Sequence, residues 1–132
     1  MLFRSNQALR LISVIKGLST ATLGDTTASV INTTSWVPTS VVVANANNAG
    51  AAADVSSVYV GVYTAASQGG NAILTAAALT SQTTVAYVTV SASSTPHTAE
   101  SAQTLYFNVS TATATATVDV YVYGYDLSGP QQ

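Results

Sequence analysis

The stretch Ala114-Thr-Ala-Thr-Val-Asp-Val-Tyr-Val-Tyr-Gly-Tyr125 decides how this chain is read. Ala116, Val118, Val120 and Val122 share one parity, and Thr117, Asp119, Tyr121, Tyr123 and Tyr125 share the other. A repeat of two is the signature of a strand, whose successive side chains point to opposite faces of a sheet. The aspartate marks the tyrosine side as the wetter one, so the valines face a core. Val55–Thr64 repeats the pattern, with Val58, Val60 and Val62 opposed to Ser57, Tyr59 and Tyr63. Together with Leu105, Phe107 and Val109 these residues suffice for a small sandwich, since each fully buried valine contributes roughly 1.5–3 kcal/mol.

Working outward, short runs rich in Val, Thr and Tyr alternate with Gly, Asn, Ser and Pro clusters, the spacing of an all-β sandwich or barrel. The predicted strands are 28–31, 35–37, 40–44, 55–64, 72–76, 83–90, 104–110 and 114–125. Pro38 is read as the break between the second and third of these, because proline has no N–H for a ladder. Asn45–Gly50 and Ser93–Thr98 read as loops, and Gln68-Gly-Gly-Asn71 as a turn in which glycine takes positive φ. Ala76–Leu79 suits a strand or a helix. The expected fold is a single-domain, antiparallel, jelly-roll-like β-sandwich over residues 28–132, preceded by an arm and linker over residues 1–27. Within the arm, Ala8, Leu11, Ile12, Ile15 and Leu18 fit a helical stripe, while Leu9, Leu11 and Ile15 fit one side of a strand. Val14 spoils the first template and Ser13 the second, so both remain open.

Composition narrows the function. Of 132 residues, 22 are Ala, 20 Thr, 17 Val and 16 Ser, and only 6% are charged, against the ~25% usual in a soluble domain. Leu, Ile, Val and Phe make up 32 residues, enough for a core rather than a disordered chain. All three cations, Arg4, Arg10 and Lys16, precede all five carboxylates, Asp25, Asp54, Glu100, Asp119 and Asp126. Three cations are too few for a nucleic-acid partner, where affinity comes from neutralising several phosphates. No run is long and apolar enough for a membrane-spanning helix. Arg10 and Lys16 interrupt the apolar leader, which is therefore read as retained rather than as a cleaved signal.

Chemistry has little to work with. His97 is the lone histidine, sits in a Ser/Thr loop, and has no Gly-x-Ser-x-Gly elbow to serve. The chain has no cysteine, no two carboxylates with the spacing of a glycosidase pair, and no Asp-rich calcium loop around Asp54 or Asp126. Gln68-Gly-Gly-Asn71 lacks the Gly-Lys-Ser/Thr ending of a phosphate loop. The expectation is a protein without catalytic residues, metal or cofactor. Trp36 reads as a core or interface anchor, with sugar stacking as the alternative that would suit a glycan- or receptor-binding module. The outer faces carry Thr, Ser and Tyr with almost no charge, where a free monomer normally displays ~25–35% charged surface residues. Tyrosine is enriched at interfaces. The predicted partner-facing residues are therefore Tyr59, Tyr63, Tyr121, Tyr123, Tyr125 and Trp36, with Arg4, Arg10 and Lys16 of the arm.

The run Thr104-Leu-Tyr-Phe-Asn-Val-Ser-Thr-Ala-Thr-Ala-Thr-Ala-Thr-Val-Asp-Val-Tyr-Val-Tyr-Gly124 resembles the ending of small structural proteins of tailed bacteriophages. Val58-Tyr-Val-Gly-Val-Tyr-Thr-Ala-Ala66 and Gly69-Gly-Asn-Ala-Ile73 resemble the earlier strand–turn–strand of the same group. The likeness covers about half the chain, 55–124. It departs from the pattern over Ser110–Thr117, where an Ala-Thr repeat replaces a glycine-containing turn. The resemblance implies a virion component assembled in the bacterial cytoplasm: an auxiliary head protein, of the decoration or cement kind, that binds the major capsid protein and copies of itself, often as a trimer. A neck or tail component is the neighbouring possibility. No catalytic residue is carried over.

Overall fold

A computed structural model describes residues 9–79, 88–91, 99–112 and 115–128. Its strands are β1 (Leu9–Ser19), β2 (Gly24–Ser29), β3 (Trp36–Asn48), β4 (Ala51–Ala52), β5 (Tyr59–Ala65), β6 (Gly69–Ala78), β7 (Val88–Ser91), β8 (Thr104–Thr111) and β9 (Thr117–Asp126). The antiparallel pairs β5–β6, β3–β7, β2–β8 and β1–β9 are those of one long hairpin closed at the β5–β6 turn. Rolling that hairpin brings β9 beside β3 and β8 beside β5. The result is two antiparallel sheets, β1-β9-β3-β7 and β2-β8-β5-β6, with β4 a short addition at the end of β3. This is the pairing of an eight-stranded jelly roll, and the expected β-sandwich is what forms.

The core lies between the sheets. Val118, Val120 and Val122 of β9, Val60 and Val62 of β5, Phe107 of β8, Val41 and Val43 of β3, and Trp36 are all fully buried in one cluster. The valines expected inward, Val58, Val60 and Val62 and Val118, Val120 and Val122, are all buried.

The separable arm is corrected. From Leu9 on, the leader is built into the molecule: β1 edges the first sheet and β2 edges the second. Ile12 is completely buried and Leu18 nearly so. Neither periodicity fitted because β1 is a strand with register shifts between Leu11 and Ser13 and between Ile15 and Leu18. Each bulge resets the parity of the side chains that follow, which is how Ile12 and Ser13 both come to be buried.

Three smaller expectations also change. Pro38 does not end a strand; β3 runs through it. The register slips between Pro38 and Ser40, and the described pairing with β7 begins only at Ser40, so the missing N–H costs no regular ladder bond there. Asn45–Gly50 is not an open loop, since β3 continues to Asn48 and turns at Ala49 and Gly50, both at positive φ, into β4. The β5–β6 reversal lies earlier than its glycines suggested. The Gly69 N–H donates to the Ala66 carbonyl (3.0 Å) across Ser67 (φ 57°) and Gln68 (φ 61°). Two positive φ values give the backbone twist that a right-handed strand pair needs. The non-glycine residues are held there from outside, by Ser67 N–H on Asp25 Oδ2 (2.8 Å) and Gln68 Nε2 on Asn108 Oδ1 (2.9 Å). Ala76–Leu79 resolves as strand up to Ala78. The Ser93–Thr98 loop and the 83–87 part of one predicted strand lie outside the described residues.

Gly124 is required by close approach rather than by φ. A Cβ there would sit 2.3 Å from the Val37 carbonyl oxygen, which belongs to the neighbouring strand and cannot step aside. Gly124→Ala is therefore expected to destabilise the domain by about 3 kcal/mol through overpacking. Urea denaturation monitored by Trp36 fluorescence measures this, and an unchanged midpoint would contradict the packing described.

Candidate interaction surface

Because the valines of β9 point inward, Tyr121, Tyr123 and Tyr125 form a row on the outer face of the first sheet. Register sets their neighbours. Tyr121 lies between Val14 and Val42, Tyr123 between Leu11 and Ser40, and Tyr125 between Leu9 and Val37. Leu9 is 53% and Tyr125 42% exposed, and the rest of this strip is half-buried. The strip is three strands wide, aromatic along its middle and largely aliphatic along its flanks, and carries no charge. Leu9 and Leu11 share parity in the sequence, but the bulge in β1 hides that Val14 faces the same side, and the β3 flank emerges only from its pairing with β9.

Asp119 shares the outer parity, one step beyond Tyr121, and the reason is local. Its Oδ1 accepts the Gly17 N–H (2.9 Å) and its Oδ2 the Asn45 Nδ2 (3.2 Å). Gly17 and Asn45 both have positive φ and lie in register shifts of β1 and β3. One carboxylate on the central strand thus pins a bulge on each neighbour. Lys16 is exposed beside that bulge.

The remaining predicted partner residues are distributed differently. Tyr59 and Tyr63 belong to the other sheet, so the five tyrosines do not form one surface. Tyr59 is 41% exposed, whereas Tyr63 is only 6% exposed. The Tyr63 ring lies over Gly61, where a Cβ would meet its Cε1 at 2.6 Å, and its hydroxyl accepts the Ala76 N–H (3.0 Å). Trp36 is fully buried: its indole N–H donates to the Ala102 carbonyl (3.2 Å), and its backbone exchanges two hydrogen bonds with Glu100. It is a core anchor and presents no face to a sugar or a partner. Arg4 lies outside the described residues.

Arg10 is corrected from an arm cation to an internal staple. Its Nε and Nη2 reach Asp126 Oδ2 at 3.2 and 3.1 Å. Its other guanidinium hydrogens go to the carbonyls of Leu11 (2.7 Å), Ile31 (2.6 Å) and Asn32 (3.1 Å). Asp126 Oδ1 in turn accepts the Thr33 hydroxyl (2.7 Å) and the Ser128 N–H (2.9 Å) and hydroxyl (3.0 Å). The ends of β1 and β9 and the β2–β3 connection are thereby tied together.

Every carboxylate has a local task of this kind. Asp25 holds Ser67 and the Asn108 amide (2.7 Å), Glu100 accepts the Asn71 amide (3.1 and 3.2 Å), and Asp54 accepts the Ser56 N–H (2.9 Å). The Ser56 hydrogen bonds lower the pKa of the fully exposed Asp54. Among the described residues no three His, Asp or Glu side chains gather as a metal site would require. No protein-family model matches the chain, and no curated protein matches it in sequence.

Burial alone would raise the Asp126 pKa, but the Thr33, Ser128 and Arg10 hydrogen bonds outweigh it and hold the group at about 2, below its ordinary 3.8. A depressed folded-state pKa stabilises fully above the unfolded value and is lost as pH falls toward the folded one. Asp126 is therefore expected to contribute about 2 kcal/mol at neutral pH, disappearing between about pH 4 and pH 2. Comparing urea unfolding of the wild type with Asp126→Asn across that range isolates it. Identical pH slopes for the two proteins would show that the staple does not operate.

Proposed function

We propose that this protein is a structural subunit of a phage particle, a decoration or cement protein that seats the outer face of its first sheet against the major capsid protein and neighbouring copies. The observation that carries this reading is the strip centred on Tyr121, Tyr123 and Tyr125. It is uncharged and aromatic, and it lies on a chain with only 6% charged residues. The few charges that exist are largely consumed in holding the backbone, as Arg10, Asp119 and Asp126 show. The placement in a virion rests on the C-terminal resemblance. A jelly roll suits it, since viral capsid domains use that architecture, although lectin domains and cupins do too. Burial of Trp36 removes the residue that favoured sugar binding.

Size refines the reading. From Tyr121 to Tyr125 the strip runs about 14 Å, and three strands span about 10 Å between outer axes, a footprint on the order of 200–300 Å² once side chains are included. A standard stable interface covers about 800 Å² per partner. One such contact alone is weak, so the strip works by repetition: many identical contacts in a lattice multiply through effective concentration.

The test is co-sedimentation with shells assembled from the major capsid protein of the phage whose genome carries this sequence. Tyr123→Asp places a charge in the middle of the strip and is expected to weaken shell binding at least tenfold. Tyr59→Asp, on the opposite sheet, is expected to bind as the wild type does. Thermal midpoints of both variants should stay close to the parent. Full binding by Tyr123→Asp, or no binding by the wild type, would refute the proposal.

A further inference from the structure

An unpaired strand edge is a template for another strand, and natural proteins blunt it with bulges, proline or lysine. β1, at the edge of the first sheet, has two register shifts and the exposed Lys16. β6, at one edge of the second sheet, shifts register three times against β5. β2, at the other edge of that sheet, has no such guard. Gly24–Ser29 pairs with β8 in unbroken register, is largely exposed, and contains neither proline nor lysine. Its one charge is turned away from the edge, since the Asp25 carboxylate is held by the Asn108 amide of β8 and the Ser67 N–H.

Parity shows which main-chain groups are free. The Val30 N–H donates to the Gln103 carbonyl (3.0 Å), so Gly24, Thr26 and Ala28 turn their N–H and C=O groups toward β8, and Asp25, Thr27 and Ser29 turn theirs outward. Near Ser29 the edge is occupied from within: its carbonyl accepts the Ser13 hydroxyl (2.9 Å), and the Ile31 N–H goes to Ile12 (2.8 Å). Asp25 and Thr27 remain, with two N–H and two C=O groups that have no partner among the described residues. A second copy presents the same four groups. Antiparallel pairing about a two-fold axis satisfies all of them in one register, with Asp25 of each copy against Thr27 of the other. The neighbouring registers fail, because one sets Asp25 against Asp25 and the other sets it against Ser29, where β1 already sits. The chosen register also carries Leu23, 61% exposed, across from Ser29 and diagonal to the 36% exposed Ile31 of the other copy, a spacing that large side chains bridge.

We infer that β2 is a docking edge for β2 of a second copy, with Thr26 against Thr26 on the two-fold axis. The joint is isologous and merges the second sheets of two copies into one of eight strands. That axis stands perpendicular to the merged sheet, so both first sheets lie on the same side of it and both tyrosine strips face the same way. The inference stands without the reading of the strip as a contact face. Where that reading holds, two strips meet one surface together.

The chain has no cysteine, so a single Thr26→Cys substitution tests the joint. Facing residues of a non-hydrogen-bonded pair lie about 4.5 Å apart at Cα, within disulfide range. The contact is far smaller than the ~800 Å² per partner of a standard interface, so the experiment traps it. Under mild oxidation Thr26→Cys is expected to form disulfide dimers at least tenfold faster than Ala51→Cys, an exposed position on β4. Adding Thr27→Pro removes an outward N–H and no bond to β8, and adding Thr27→Asp sets a carboxylate against Asp25 of the other copy. Each is expected to slow cross-linking at least fivefold with an unchanged thermal midpoint; if the proline lowers the midpoint, the aspartate decides. Adding Tyr123→Asp is expected to leave the rate as it is, which separates the edge from the strip. Equal rates for Thr26→Cys and Ala51→Cys, full cross-linking despite Thr27→Asp, or loss of cross-linking with Tyr123→Asp would each overturn the inference.

Discussion

β9 is hydrogen-bonded on both sides, to β1 and to β3, and its valines are buried against the opposite sheet. The other features of the molecule follow from that position. With Val118, Val120 and Val122 committed inward, the tyrosines have no choice of side. With neighbours on both edges, the strand makes their row the centre of a face rather than the margin of one. A single slip in register would exchange the two sets and place valines in water and tyrosines in the core. The bulges of β1 and β3 are consequently pinned from β9 itself, by Asp119.

Charge in this protein serves the backbone. Asp119 holds two bulges, Asp25 holds the β5–β6 turn, and Arg10 with Asp126 ties three segments at one corner. A charged group paired and hydrogen-bonded in this way contributes to a unique geometry, whereas an exposed ion pair contributes little. The consequence for the exterior is direct. Few charges remain to keep copies apart, and the outer face of the first sheet is left aromatic and aliphatic. The second sheet differs: its outer side is hydrogen-bonded through Asp25, Asn108 and Gln68, and Tyr63 is folded onto Gly61. The outer side of the first sheet is therefore aromatic and aliphatic along β9, while that of the second sets the exposed Tyr59 beside this hydrogen-bonded group.

Much of this was legible in the residues alone. Strict alternation in 114–125 and 55–64 determined strand identity, the inward valines and the outward tyrosines, because a period of two needs no knowledge of the partner strand. The scarcity of charge determined that the exterior is unusual. Tertiary structure alone decided the rest. Bulges broke the alternation of β1, so its membership in the sheet became visible only against β9. The non-glycine turn at Ser67-Gln68 depends on Asp25 and Asn108, which are distant in sequence. Which sheet each tyrosine joins, and whether Arg10 meets solvent or Asp126, are set by pairings between residues as much as 116 positions apart. Local periodicity carries no information about such distant partners, and only the rolled pairing of the strands supplies it.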